Sequence, residues 1–301
     1  GLDRCGVEVV AAVRPRGHVL QVSQGKGLTL EQARWSALGE AVELAVAEQV
    51  VPDRLQMARG PRHGWDPGQA QVAWVQGHRL GSGARRWVPA QEVYCPPAGT
   101  AWLGPTSTRW TSNGLGFHPT SARQAAEHAV LELLERHAVA LALPAGWTLA
   151  QARRRLVVPP PLARTWTERG FPAFVVDLSL GRLPVAGAVL FDAEGGPVPL
   201  TAGYACRRTF AAAAEAALLE AAQSRLTEIH GAREDVAQGQ REEGRALHAA
   251  LARARPRRQP PAEFSGPLAR AVEAEVTLVT LCRGPWVVRA LSPHLRRTEL
   301  L

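Results

Sequence analysis

One local pattern recurs three times along the chain, each time inside a long apolar segment with helical periodicity. It reads Ala37-Leu38-Gly39-Glu40-Ala41-Val42-Glu43, then Ala129-Val130-Leu131-Glu132-Leu133-Leu134-Glu135, then Ala217-Leu218-Leu219-Glu220-Ala221-Ala222-Gln223. Residues three apart share one face of a helix, so each segment presents a pair of acidic or amide groups beside an apolar surface. A single such pair is an ordinary decoration of an amphipathic helix. Three in the same context predict helices that converge on one place. Five carboxylates brought close together cannot all ionise without cations between them. Hard oxygen donors in that number suit Mg²⁺, which usually also takes phosphate oxygens.

The rest of the chain places these helices. Residues 7–13 and 18–23 alternate like a β-hairpin, and a Gly25-Lys26-Gly27 turn leads into a helix from about Thr29 to Gln49. Thr29 is a good N-cap, with Glu31 in the first turn. The second helix is expected over Ser121–Leu141 and the third over Phe210–His230. Strands are expected near 71–76, 86–89, 172–178, 185–192, 197–204, 275–281 and 285–290, with loops over 52–70 and 96–113. The stretch 234–262 reads as an Arg-rich, mobile insertion containing a helix. Strands and helices mix with long returns and no evident linker, which predicts one α/β (mixed α+β) domain over residues 1–301.

Composition excludes more than it assigns. The chain carries 35 Lys+Arg against 27 Asp+Glu, yet Lys26 is its one lysine. Arginine spread through every segment is a compositional bias, so the +8 charge is no argument for nucleic acid. Cys5, Cys95, Cys206 and Cys282 lie far apart and form no metal or redox motif. No apolar run approaches the roughly 20 residues needed to cross a bilayer, and no signal-peptide pattern opens the chain. A cytoplasmic protein without membrane or nucleic-acid partners is expected. The nine histidines form no zinc-ligand spacing. Lys26, flanked by glycines that let backbone approach an anion, is a candidate phosphate contact, although no Walker motif surrounds it and most glycine-flanked lysines are solvated turn residues.

At these residues the sequence resembles the YcaO family of ATP-dependent enzymes. Its signatures occur in order: Ser36, Glu40 and Glu43; then Ser112-Asn113-Gly114 leading to Glu132, Glu135 and Arg136; then Glu220, Gln223 and Arg225. The stretches Ser23–Thr29 and Gln223–Arg233 look like YcaO proteins paired with TfuA. The resemblance implies a YcaO domain whose three long helices converge on ATP and Mg²⁺. It implies Glu40, Glu43, Glu132, Glu135 and Glu220 toward Mg²⁺, and Lys26, Ser36, Asn113, Gln223 and Arg225 toward the nucleotide. It names no catalytic residue. The implied activity is O-phosphorylation of a peptide backbone amide, for thioamide formation with a TfuA-like protein. Azoline-forming cyclodehydration and a degenerate domain that binds nucleotide or partner without catalysis are the alternatives. A peptide substrate, a separate leader-binding protein and a homodimer are the further partners implied. Leu44 stands where the first motif carries Arg, Gln124 where a Glu opens the second helix, and His137 where Asp follows Glu-Arg. Phe117-His118-Pro119-Thr120 replaces a Gly-Asn-Thr loop, and the chain carries no P-x-P-x-P terminus.

Overall fold

A computed structural model describes residues 5–296 apart from 106–109, 145, 195, 197, 231–237, 261 and 262. A hairpin, β1 (Glu8–Val13) and β2 (Val22–Gly27), precedes α1 (Leu30–Ala47). Strands β3 (Leu55–Ala58), β4 (Val72–Arg79) and β5 (Arg85–Pro89) follow, then the short α2 (Ala90–Val93), β6 (Leu115–His118) and α3 (Ala122–Ala142). Next come α4 (Leu149–Arg155), β7 (Leu156–Val157), α5 (Pro161–Glu168), β8 (Ala173–Asp177), β9 (Val185–Phe191) and β10 (Leu200–Cys206). The chain continues through α6 (Phe210–His230), α7 (Gln238–Ala252), β11 (Thr277–Cys282) and β12 (Trp286–Leu291). Besides the β1–β2 pair, one sheet runs β10-β9-β8-β7; another runs β3-β4-β11-β12-β6, with β5 also paired to β4. This is the mixed α/β architecture expected.

Three strand–helix units, β2–α1, β6–α3 and β10–α6, share one packing device. In each, a strand glycine lies against two alanines of the following helix. A Cβ on Gly25 would stand 2.0 Å from the Ala37 nitrogen and 2.2 Å from the Ala33 carbonyl oxygen. On Gly116 it would meet the Ala125 oxygen at 2.1 Å, and on Gly203 the Ala217 oxygen at 2.3 Å. Strand and helix backbones therefore touch directly, which only glycine facing alanine permits. Ala37, Ala129 and Ala217 stand three residues before Glu40, Glu132 and Glu220. In the first two units the contact falls on the alanines seven and three residues before Glu40 and Glu132; in the third it lies one turn further on, at Ala217 and Ala221, beside Glu220 itself.

Local signals hold the helix starts. Thr29 accepts from the Gln32 N–H while the Gln32 side chain accepts from the Thr29 N–H, a reciprocal capping box. The Ser121 hydroxyl accepts from the Gln124 N–H at the start of α3. Gln124 itself is exposed.

Three expectations change. Gly25-Lys26-Gly27 is the end of β2 rather than a turn, with Lys26 opposite Val9; its glycines answer the approach of α1, not a reversal of the chain. Residues 52–70, expected as loop, contain β3, and β6 falls between Asn113 and Ser121, where no strand was expected. Of the stretch 234–262, residues 234–237, 261 and 262 lie outside the described residues. Within it, α7 buries Leu247 and Leu251 against Ala152, Leu156, Val189 and Phe191.

Candidate active site

A cavity of about 780 Å³ opens where α1, α3 and α6 meet. Glu40, Glu43, Glu132, Glu135, Glu220 and Gln223 all line it, together with Lys26 and Ser36. The three helical pairs do converge, and hydrogen bonds explain how. Glu40 accepts from the Gln24 N–H of β2 at 3.1 Å. Glu132 accepts from the Gly114 N–H just ahead of β6 at 3.0 Å. Each is thus bonded to the strand segment of its own unit.

The second member of each pair reaches across to the next unit. Glu43 is hydrogen-bonded to the Phe117 backbone of β6. Glu135 accepts from the Cys206 N–H of β10 at 3.2 Å. Gln223 donates its amide N–H to the Gln24 carbonyl of β2 at 3.0 Å, which returns to the first unit. The ties form a closed circle. Gln223 breaks the run of acids for a physical reason: its partner is a carbonyl oxygen, which needs a donor that a carboxylate cannot supply.

The carboxylates are electrostatically crowded. Burial holds Glu40, Glu43 and Glu132 above the usual carboxylate range, and neighbouring glutamates add to the rise at each. Glu135, 5% exposed, is pushed up to about 8 by burial and by Glu220, against the opposing charge of Arg136. Lys26 Nζ pairs with Glu220 at 3.1 Å. Arg136 lies 4.0 Å from Glu132 and 3.5 Å from Glu135. Its counterpart after Glu43 is the apolar Leu44, so the first pair has no such cation on its own helix.

Among the described residues, no three His, Cys, Asp or Glu groups stand together as a closed metal-ligand set. The donor chemistry nevertheless fits a hard divalent cation. Five carboxylates line one cavity, and burial first, then their mutual repulsion, raises the pKa of Glu40, Glu132 and Glu135, a strain that a bound cation would relieve.

Two expected nucleotide contacts stand elsewhere. Asn113 is not among the residues lining the cavity; its carbonyl accepts from Arg289 at 2.6 Å. Arg225, 4% exposed, also stands off the cavity, pairing with Asp192 at 2.7 Å and donating to the Val198 carbonyl at 2.6 Å. Conversely, His128, Arg207, Ser224 and Thr227 line the wall without having been singled out as site residues. His128 had a signal: it precedes Glu132 by four residues, as Ser36 precedes Glu40.

A family model described as YcaO cyclodehydratase, ATP- and Mg²⁺-binding, matches residues 52–283. The chain belongs to the YcaO family. That match covers the second and third YcaO units and leaves α1, with Glu40 and Glu43, outside it. A protein of Methanothermobacter thermautotrophicus is 30% identical over 263 residues, 78% of this chain and 65% of its own. A Rhizobium leguminosarum bv. trifolii protein encoded in the tfuA 3′ region is 30% identical over 269 residues, 78% of this chain and 62% of its own. The chain therefore spans less than two thirds of these relatives. The YcaO structure from Methanopyrus kandleri, bound with AMPPCP and Mg²⁺, superposes with a TM-score of 0.69 at 23% identity, over 97% of this chain and 84% of that one. The YcaO fold is thus present from the first hairpin to the last strand. No helix among the described residues is long and apolar enough to cross a membrane.

Proposed function

We propose that this YcaO chain activates a peptide backbone amide by ATP-dependent O-phosphorylation, and that it does so for thioamide formation with a TfuA-like protein. The observation that carries the first part is the closed circle of five glutamates and Gln223 around a cavity bordered by Lys26. A relative encoded in the tfuA 3′ region supports the second part. An amide oxygen is a poor leaving group; ATP with Mg²⁺ supplies the phosphoryl group that makes it a good one.

The chain's own part is positioning and charge. Glu40, Glu43, Glu132, Glu135 and Glu220 would hold Mg²⁺ through oxygens already oriented by backbone N–H groups and Lys26. Lys26 offers a compact cation to phosphate and withdraws it to Glu220 otherwise. Ser36 and Gln223 give the cavity wall a hydroxyl and an amide for the nucleotide. Asn113 and Arg225 hold the frame instead. The thiol of Cys206, pushed up to about 12 chiefly by burial, stays protonated and is no nucleophile.

The family description favours cyclodehydration as the second reading. Mass spectrometry of a precursor peptide incubated with the chain, a TfuA-like protein, ATP, Mg²⁺ and sulfide separates the two. Exchange of oxygen for sulfur adds about 16 Da, and loss of water removes about 18 Da. An unchanged peptide mass beside intact nucleotide binding would instead favour a binding domain without catalysis.

A further inference from the structure

Arg289 is 0% exposed in β12, an interior strand of its sheet. A guanidinium has five N–H donors and no acceptor, so its burial requires oxygens arranged to receive it. Three main-chain carbonyls are among them. Arg289 donates to Asn113 at 2.6 Å, to Thr111 at 2.7 Å and to Glu92 at 3.3 Å, with its plane against the Trp110 ring at 5.4 Å. Two of these carbonyls flank Ser112, in the loop that ends at Gly114. Gly114 carries the N–H that Glu132 accepts, and its φ of +85° fixes the direction of that N–H. The Gly114 carbonyl is held in turn by the Ala290 N–H at 2.7 Å, one residue beyond Arg289.

We infer that Arg289 is a positioning residue for the acidic cluster: it clamps the Thr111–Gly114 loop so that Gly114 orients Glu132. This rests on the proposed role of Glu132 toward Mg²⁺. It predicts that a side chain lining no part of the cavity sets the affinity of the site for the metal. A second-layer group of this kind is worth about tenfold to a hundredfold in metal affinity.

The test compares wild type with Arg289→Lys, which keeps the charge and loses the fork, and Arg289→Gln, which loses the charge. Mg²⁺ is titrated calorimetrically in the presence of AMPPCP, and hydrogen exchange reads the Gly114 amide. Expected are wild-type circular dichroism, Mg²⁺ affinity reduced about tenfold in the Lys variant and further in Gln, and faster exchange at Gly114. Turnover should recover at saturating Mg²⁺. Folded variants with unchanged Mg²⁺ affinity would overturn the inference, because a purely structural arginine changes the melting temperature alone. Failure of both variants to fold would overturn it too, by assigning Arg289 to the core. If wild type binds no Mg²⁺ with AMPPCP, the reading of the site fails first, and that result is seen before any variant is compared.

Discussion

Gly116→Ala adds one methyl group at the point where β6 touches α3. The new Cβ would lie 2.1 Å from the Ala125 oxygen, 2.6 Å from the Ala129 nitrogen and 3.0 Å from the Ala129 Cβ. A relaxed carbon–oxygen contact is about 3.3 Å or more, so strand and helix must part by about 1 Å. The colliding atoms are backbone on both sides, and no side chain can rotate away. Overpacking of this kind costs about 1–3 kcal/mol, and the upper end is expected here. The displacement falls on α3 one turn before Glu132, whose bond to the Gly114 N–H is only 3.0 Å long. A misplacement of about 1 Å in a reacting array costs about a hundredfold. Urea unfolding should therefore show a loss of about 3 kcal/mol at constant m-value, and Mg²⁺·AMPPCP affinity should fall by more than the stability loss explains. Gly181→Ala is the control, since a Cβ there meets nothing within 4 Å and its backbone is not left-handed. If Gly116→Ala matches Gly181→Ala in both measurements, the close-contact argument is wrong for all three units.

Other outcomes follow from the same site. Glu132→Ala should abolish measurable Mg²⁺·AMPPCP binding by calorimetry while leaving the circular dichroism spectrum intact; undiminished binding would contradict the convergence of the helices. Lys26→Arg should weaken nucleotide binding about tenfold, or about 1.4 kcal/mol, because a planar fork does not replace a compact ammonium between Gly25 and Gly27. Asp192→Asn should cost about 3 kcal/mol of stability by removing the carboxylate charge paired with the buried Arg225, with nucleotide affinity of the folded protein unchanged. Glu135 gives a pH test. Its native pKa near 8 exceeds the unfolded value of 4.5, so the native state holds a proton that the unfolded state releases between those values. Its contribution is therefore full below about pH 4.5 and is lost as pH rises through about 8. Chemical denaturation of wild type minus Glu135→Gln should show that loss, and a difference flat over this range would refute it.

The long helices and most strands were legible because periodicity, caps and apolar runs are local. Thr29 and Ser121 announced α1 and α3 within a residue. The four-residue β6 was not legible, since Leu115–His118 is too short to alternate, and β12 supplies its pairing from more than a hundred residues away. Lys26 shows a different limit. Glycines on either side of a lysine carry the signature of a turn, and only the approach of α1 reveals why they sit in a strand. The five glutamates were found from spacing alone, because a helix fixes which side chains share a face. Arg225 was expected toward the nucleotide because the family motif carries it two residues after Gln223. Two residues along a helix turn a side chain about 200° away, and Asp192 waits there. Arg289 gave no signal, because the groups through which it holds the Thr111–Gly114 loop are carbonyls, and every residue has one.

The circular ties of the second pair members have a consequence for how the molecule can be divided. Glu43 is held by the second unit, Glu135 by the third, and Gln223 by the first. A chain cut after α1 would keep two complete acidic helices yet lose the partner of Gln223 and the occupant of the Phe117 tie. The site therefore has no stable half. Complementation of separately expressed pieces should restore ligand binding all at once or not at all, much as an arch stands only when its last stone is set.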